Sequence, residues 1–164
     1  MKSKAPIIVA VVVVIAAVFF LLNLGNGEEK GKEIGLIHME NQEMPKNVQE
    51  YLQQFEMTEN YMAFKYADEF YLYATRGEMI SGGYSVVLKD ATFDNGNITV
   101  VVEKKDPAKD ENVTQALTYP VKLVKLADNT VEYNKAIFLG LENEKLAEKE
   151  FIEMAGEMPL PPYI

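Results

Sequence analysis

The sequence holds no cysteine and no tryptophan, one histidine (His38) and three serines (Ser3, Ser81 and Ser85). Without cysteine there can be no disulfide, zinc thiolate site, iron–sulfur cluster, lipid-modified N-terminal Cys or thiol nucleophile. A Ser-His-Asp arrangement would have to use His38. That residue sits within LIHME, a stretch read as a short strand ahead of the first predicted helix, where a structural or solvent-exposed role is expected. A dyad of Ser81 with a lysine has nothing behind it except the residue types. Cations are also scarce. Lys and Arg total 16 against 25 Asp and Glu, for a formal net charge of −9. Lys2 and Lys4 precede a long apolar run, so the rest of the chain is more acidic still. A surface of this sign repels phosphate backbones, and no Lys/Arg stripe offsets it, so nucleic acid is not an expected partner. Anionic lipid head groups are disfavoured for the same reason.

The run Ala5–Leu24, APIIVAVVVVIAAVFFLLNL, carries no charge. At about 20 residues it matches the roughly 30 Å of hydrocarbon that a helix must span. With Lys2 and Lys4 before it, the positive-inside rule puts the N-terminus in the cytoplasm and the rest outside. The competing reading is a cleaved signal peptide, for which Gly25-Asn26-Gly27 offers a weak processing site. The unbroken apolar stretch is longer than a signal peptide needs, so a retained anchor is the expectation. Residues 25–33, GNGEEKGKE, read as a flexible linker. The remaining chain suffices for one domain of ordinary size, taken as 34–158, and the Pro-rich residues 159–164 read as an extended tail.

Within that domain, Val48, Tyr51, Leu52 and Phe55 mark an amphipathic helix over Lys46–Met57 with Pro45 at its start. After Asn60 the period becomes two. Phe70, Leu72 and Ala74 alternate with Tyr71, Tyr73 and Thr75; Tyr84, Val86 and Leu88 alternate with Ser85, Val87 and Lys89; Ile98, Val100 and Val102 alternate with Thr99, Val101 and Glu103. Each is expected to be a half-buried strand. Asn95-Gly96 supplies the positive φ angles of a tight turn, so strands near 83–93 and 97–104 are predicted to form an antiparallel hairpin. Asp128-Asn129 suggests a second hairpin, between Val121–Leu126 and Val131–Phe138. Ala147, Phe151, Met154, Ala155 and Met158 suggest a C-terminal helix ending before Pro159. Asp94–Asn97 superficially looks like part of a calcium loop but lacks the ligand alternation and the distal Glu, so it is read as the hairpin turn. Carboxylates are too numerous for any one pair to be diagnostic of acid/base chemistry.

The most informative local feature is Ser81-Gly82-Gly83-Tyr84. Two glycines before a strand permit positive φ or close backbone approach, and a following tyrosine puts an amphipathic ring at the opening. It is a loop entering a strand with Tyr84 in the core, or a recognition loop in which exposed backbone and Tyr84 meet a partner. It lacks the spacing of a phosphate cradle.

Gly77-Glu78-Met79-Ile80-Ser81-Gly82-Gly83-Tyr84-Ser85-Val86, then Asp106-Pro107, then Gln115-Ala116-Leu117-Thr118-Tyr119-Pro120, resemble in that order the motifs of the PrcB family C-terminal domain. Ser81 stands where Thr is commoner in that family, and the resemblance spans roughly Phe70–Leu126. It implies a β-rich, extracytoplasmic, non-catalytic protein-binding module of bacterial origin, and the family is named for a subunit of a cell-surface protease complex. The expectation is therefore an α+β domain, mainly antiparallel hairpins with one or two flanking helices, behind a single N-terminal transmembrane helix. Its function would be to bind another exported protein, as accessory subunit of a protease in the case the resemblance implies, through Ser81, Gly82, Gly83 and Tyr84 with Thr118, Tyr119 and Pro120. No catalytic residue, cofactor or metal is expected. The competing readings are a structural envelope protein and a carboxylate- or metal-dependent hydrolase.

Overall fold

The computed structural model describes residues 31–154. The predicted anchor, most of the linker and the Pro-rich tail lie outside them. Among the described residues no helix is long and apolar enough to cross a membrane.

The chain enters through two short strands, β1 (Lys32–Ile34) and β2 (Leu36–Met39), separated only by Gly35. A 3-10 turn over Asn41–Glu43 follows, in which the Glu43 carboxylate accepts the Glu40 N–H at 3.1 Å. Pro45 sits just ahead of helix α1 (Lys46–Gln53). Val48, Tyr51 and Leu52 form the buried stripe, while Phe55, beyond the helix end, packs edge-on against Tyr51 at 5.3 Å. Full burial of Val48 and Leu52 is worth about 1.5–3 kcal/mol each. This helix is shorter than the predicted Lys46–Met57 because Gln54–Met57 turn into the next strand.

Seven longer strands follow: β3 (Thr58–Tyr66), β4 (Glu69–Gly77), β5 (Ser85–Asp94), β6 (Asn97–Lys105), β7 (Val121–Leu126), β8 (Lys135–Leu139) and β9 (Lys145–Glu153). They form one nine-stranded sheet in the order β1-β5-β6-β8-β9-β3-β4-β7-β2. Its two terminal strands are consecutive in the chain, so the sheet curls into a barrel-like body. One edge is β1 on β5 (Ile34 opposite Ala91) and the other is β2 on β7 (Leu36 opposite Leu126). At the joint, Gly35 accepts the Ala127 N–H at 2.9 Å, and a Cβ at Gly35 would lie 3.2 Å from that of Ala127. Lys32 and Asp128 cross the same seam as an ion pair at 2.5 Å.

Alternation sends one set of side chains inward. Ile34, Tyr61, Ala63, Phe70, Leu72, Ala74, Val86, Leu88, Ile98, Val100, Val102, Val124 and Phe138 fill the interior. A bulge between Lys89 and Thr92, with Asp90 at φ 51°, lets both Leu88 and Ala91 face inward although they are three residues apart. The outer faces of β3, β4 and β7 carry Met62, Phe64, Tyr71, Tyr73 and Leu123, and α1 covers them with Val48, Tyr51 and Leu52. Strand β4 is consequently buried on both faces, where the alternation alone indicates one.

The 85–105 hairpin forms as predicted, with Asn95 at φ 48° and Gly96 at φ 82° in its turn. The second predicted hairpin does not form. Strand β7 pairs with β4 and β2, whereas β8 lies parallel to β6 and antiparallel to β9. Asp128 instead closes a local turn, taking the Thr130 N–H at 2.9 Å and its hydroxyl at 2.6 Å. The predicted C-terminal helix is also corrected. Residues 145–153 are strand, because β9 bonds to β8 through Lys145–Glu150 and to β3 through Phe151–Glu153. These partners on both sides outweigh the helical preference of a Glu/Lys-rich stretch. Two strand pairs, β6–β8 and β3–β9, are parallel, so the sheet is mixed, and α1 is the one α-helix among the described residues. Finally, the domain begins before residue 34, since Lys32–Ile34 is already a strand rather than linker.

The Lys32 ammonium, and after it the hydroxyl and amide of Thr130, hold the Asp128 carboxyl well below the usual carboxylate range. A carboxyl lowered by folding stabilises above its unfolded value of about 3.9, and that contribution is lost as pH falls through the folded value. Asp128→Asn is expected to lower stability near neutral pH and to flatten its decline below about pH 4, read from urea unfolding midpoints across that range. An unchanged acid slope would show that the seam pair does not couple to folding.

Candidate functional site

Two connections meet at the end of the barrel where β4 finishes and β7 begins. Residues 78–84 link β4 to β5, and residues 106–120 link β6 to β7. They pair through a short antiparallel bridge: the Met79 N–H donates to the Thr118 carbonyl at 2.8 Å, and the Thr118 N–H returns to Met79 at 3.0 Å. The Thr118 hydroxyl donates to the Ser81 carbonyl at 2.7 Å, and the Gly82 N–H to the Thr114 carbonyl at 2.9 Å. Ser81–Tyr84 and Thr118–Pro120, far apart in sequence, thus form one unit.

Within this unit the predicted residues divide by role. Ser81 is buried and its hydroxyl stays local, donating to the Gly82 carbonyl at 3.3 Å, so its side chain is part of the loop's framework. The glycines answer to close approach. A Cβ on Gly82 would stand 2.5 Å from the Thr114 hydroxyl, and one on Gly83, at φ 85°, would stand 2.7 Å from both Pro107 and Val113. Tyr84 is half-buried ahead of β5, with the Arg76 guanidinium 5.2 Å from its ring centroid. Tyr119 is exposed, and its hydroxyl donates to the Glu78 carboxylate at 2.8 Å, a bond that raises the phenol's pKa. Pro120 precedes β7 and offers its carbonyl to the Arg76 N–H at 3.0 Å.

Arg76, which motif reading passed over, organises this end of the barrel. Its side chain is only 11% exposed. It donates to the Lys105 carbonyl at 2.7 Å and the Asp106 carboxylate at 2.7 Å, so it ties β4 to the end of β6. Opposite it on β3, Glu59 accepts from Lys104 at 2.6 Å and from the Tyr61 hydroxyl at 2.7 Å. Partial burial pushes the Glu59 carboxyl up, but the bonds from Lys104 and Tyr61 together outweigh it and hold the group below its usual range. Arg76 is the sole arginine in the sequence, and that singularity is the one signal that could have marked it.

The other omission is apolar. In the bridge register Ile80 lies opposite Leu117, and they are 80% and 58% exposed. Met57, 60% exposed, is nearby, since its carbonyl accepts the Glu78 N–H at 3.3 Å. Large side chains this open to water, gathered at one end of a domain with a full core, are the feature that binding surfaces show.

Glu69, Glu103 and Glu148 are held below their usual range chiefly by bonds from Lys125, Lys89 and Lys145. Burial raises Glu56. Among the described residues no three His, Asp or Glu side chains gather as they would around a metal ion. His38 lies exposed on β2, opposite Val124, and with Glu33, Lys89 and Asp90 lines an open depression of about 390 Å³. Ser81 belongs to the paired loops, not to that depression.

Replacing Arg76 removes a nearly buried donor set from three acceptors, the Ser85 carbonyl at 3.4 Å being the third. Arg76→Met is expected to cost about 1–3 kcal/mol in urea unfolding. Arg76→Lys should recover only part of that, because an ammonium cannot reproduce the planar fork. Full recovery by lysine would show that charge alone suffices.

No curated protein and no solved structure matches the chain. Residues 70–127 match the family described as PrcB C-terminal. The matched stretch runs from β4 through β7 and holds both paired loops, Arg76, Ile80 and Leu117, so the chain is PrcB-like across the segment that builds this site.

Proposed function

We propose that this domain is a non-catalytic protein-binding module, displayed outside the cytoplasmic membrane on an N-terminal anchor, which acts as an accessory or regulatory subunit of an exported protease. The observation that carries the binding role is the exposure of Ile80 opposite Leu117, on loops fixed by Arg76 and the Met79–Thr118 bridge. A rigid frame under exposed apolar side chains lowers the ordering cost of association. The PrcB-like segment supports the choice of an exported protease as partner. The uncharged run Ala5–Leu24 supports the anchor, and the lysines before it support a cytoplasmic N-terminus. In docking, Ile80, Leu117 and the exposed side of Tyr119 would lose water at the centre, with Glu78 and its acidic neighbours at the rim.

The test is crosslinking in intact cells of the producing organism with the full chain as bait, followed by mass spectrometry of recovered proteins. Recovery of an exported protease is expected, and Ile80→Asp with Leu117→Asp is expected to reduce it about tenfold or more. Both side chains are already open to water, so that double variant should keep its circular dichroism spectrum and unfolding midpoint. Recovery of general envelope components, indifferent to Ile80 and Leu117, would favour a structural role and remove the protease from the account.

A further inference from the structure

The two loops that carry the apolar pair hold more acidic than basic residues. Glu78 faces the same way as Ile80 in the bridge register and holds the Tyr119 hydroxyl. Glu56 directly precedes Met57, whose carbonyl accepts the Glu78 N–H at 3.3 Å. Asp110 and Glu111 stand exposed in the loop that leans on Gly82 and Gly83. Three of the cations at the strand ends are committed, while Lys122, half-buried near the start of β7, is not among them. Arg76 is bonded to Asp106 and the Lys105 carbonyl, Lys104 to Glu59, and Lys105 to Glu103 at 3.6 Å. Within the two paired loops Lys109 is the single Lys or Arg, which leaves a local negative surplus in a chain whose net charge is already −9.

We propose that the segment seated on Ile80 and Leu117 is cationic: a stretch of polypeptide that presents one or two large apolar or aromatic side chains to that pair and Lys or Arg on either side to Glu78, Glu56, Asp110 and Glu111. The inference rests on the docking surface proposed above and names its occupant. An apolar anchor alone would leave these carboxylates without counter-charge beside a dried contact, which costs free energy unless opposite charge arrives with it. A second copy of this chain would bring the same acidic rim against itself, so charge selects against self-association. Lys and Arg also bring long methylene stems that can cover Met57 and Tyr119 while their heads stay at the carboxylates. Attraction of this kind acts mainly on encounter, so the association rate is expected to fall about tenfold or more as salt rises from low to high ionic strength.

The probe is a random dodecapeptide display library selected against the purified full chain in mild detergent. Enriched peptides are expected to carry Lys and Arg well in excess of Asp and Glu around an apolar or aromatic anchor. They should lose about tenfold or more in affinity on Ile80→Asp with Leu117→Asp, and several-fold on Glu78→Gln with Asp110→Asn and Glu111→Gln. Neutral or acidic peptides that still need Ile80 and Leu117 would overturn the cationic assignment and leave the docking surface standing. Peptides held equally well by the Ile80/Leu117 variant would overturn the docking surface itself. A selection that enriches nothing counts against both, and circular dichroism of each variant separates loss of binding from loss of fold.

Discussion

Everything in this domain depends on closing the sheet, and the closure is made by one short stretch of chain. Lys32–Ile34 pairs with β5, Leu36–Met39 pairs with β7, and the step between them is taken at Gly35, against Ala127. Without that stretch β5 and β7 would present edges that neither their own hairpin nor β4 could cover, and the interior they flank would meet water. The Lys32–Asp128 pair and the Tyr133 hydroxyl on the Asp128 carbonyl, 2.8 Å away, fasten the same seam from the loop side. Tyr133 in turn packs edge-on against Phe70 at 4.9 Å and Phe93 at 5.3 Å, so seam and core are continuous.

Strand β4 transmits this order to the loops. Its inward residues Phe70, Leu72 and Ala74 belong to the barrel interior, and its outward residues Tyr71 and Tyr73 are packed beneath α1. The strand therefore has no free face along most of its length, and its end at Arg76 and Gly77 is held in place by packing on both sides. Gly77, at φ 80°, turns the chain out of the sheet where a Cβ would meet the Thr58 and Glu59 backbone at 2.9–3.0 Å. The exposed pair beyond it is thus carried on a rigid stalk.

Local chemistry was legible in the sequence and long-range pairing was not. Asn95-Gly96 specifies a turn within a few residues, and the hairpin around it forms accordingly. The alternation in 70–75 and 98–102 identifies strands because each inward residue meets the same core. Asp128-Asn129 is also a turn signal, but a turn does not name the strands that flank it. Strand β7 found β4 and β2, while β8 found β6 and β9. In 145–153 the spacing of Ala147 and Phe151 suits a helix as well as a strand, and only β8 and β3 on either side decide between them. At the site, Gly82 and Gly83 were readable because glycine marks close approach. Ile80 and Leu117 were not, because isolated apolar residues outside any periodic run give no sign of being exposed until the neighbouring Met79–Thr118 bridge sets them at opposite register positions.

The position of β9 bears on how the molecule is made. It is the last strand among the described residues, yet it lies in the middle of the sheet between β8 and β3, and its bond to β3 is parallel and joins residues far apart in sequence. Contacts of such long span are slow to form, because the intervening loop must be closed before they return any stabilisation. A chain emerging N-terminus first cannot complete this body from the strands already released; until β9 arrives, the edges of β3 and β8 stay open to other chains. The interval between release of β8 and capture of β9 is therefore the time at which this protein is most exposed to aggregation, and when an escorting factor would have most to protect.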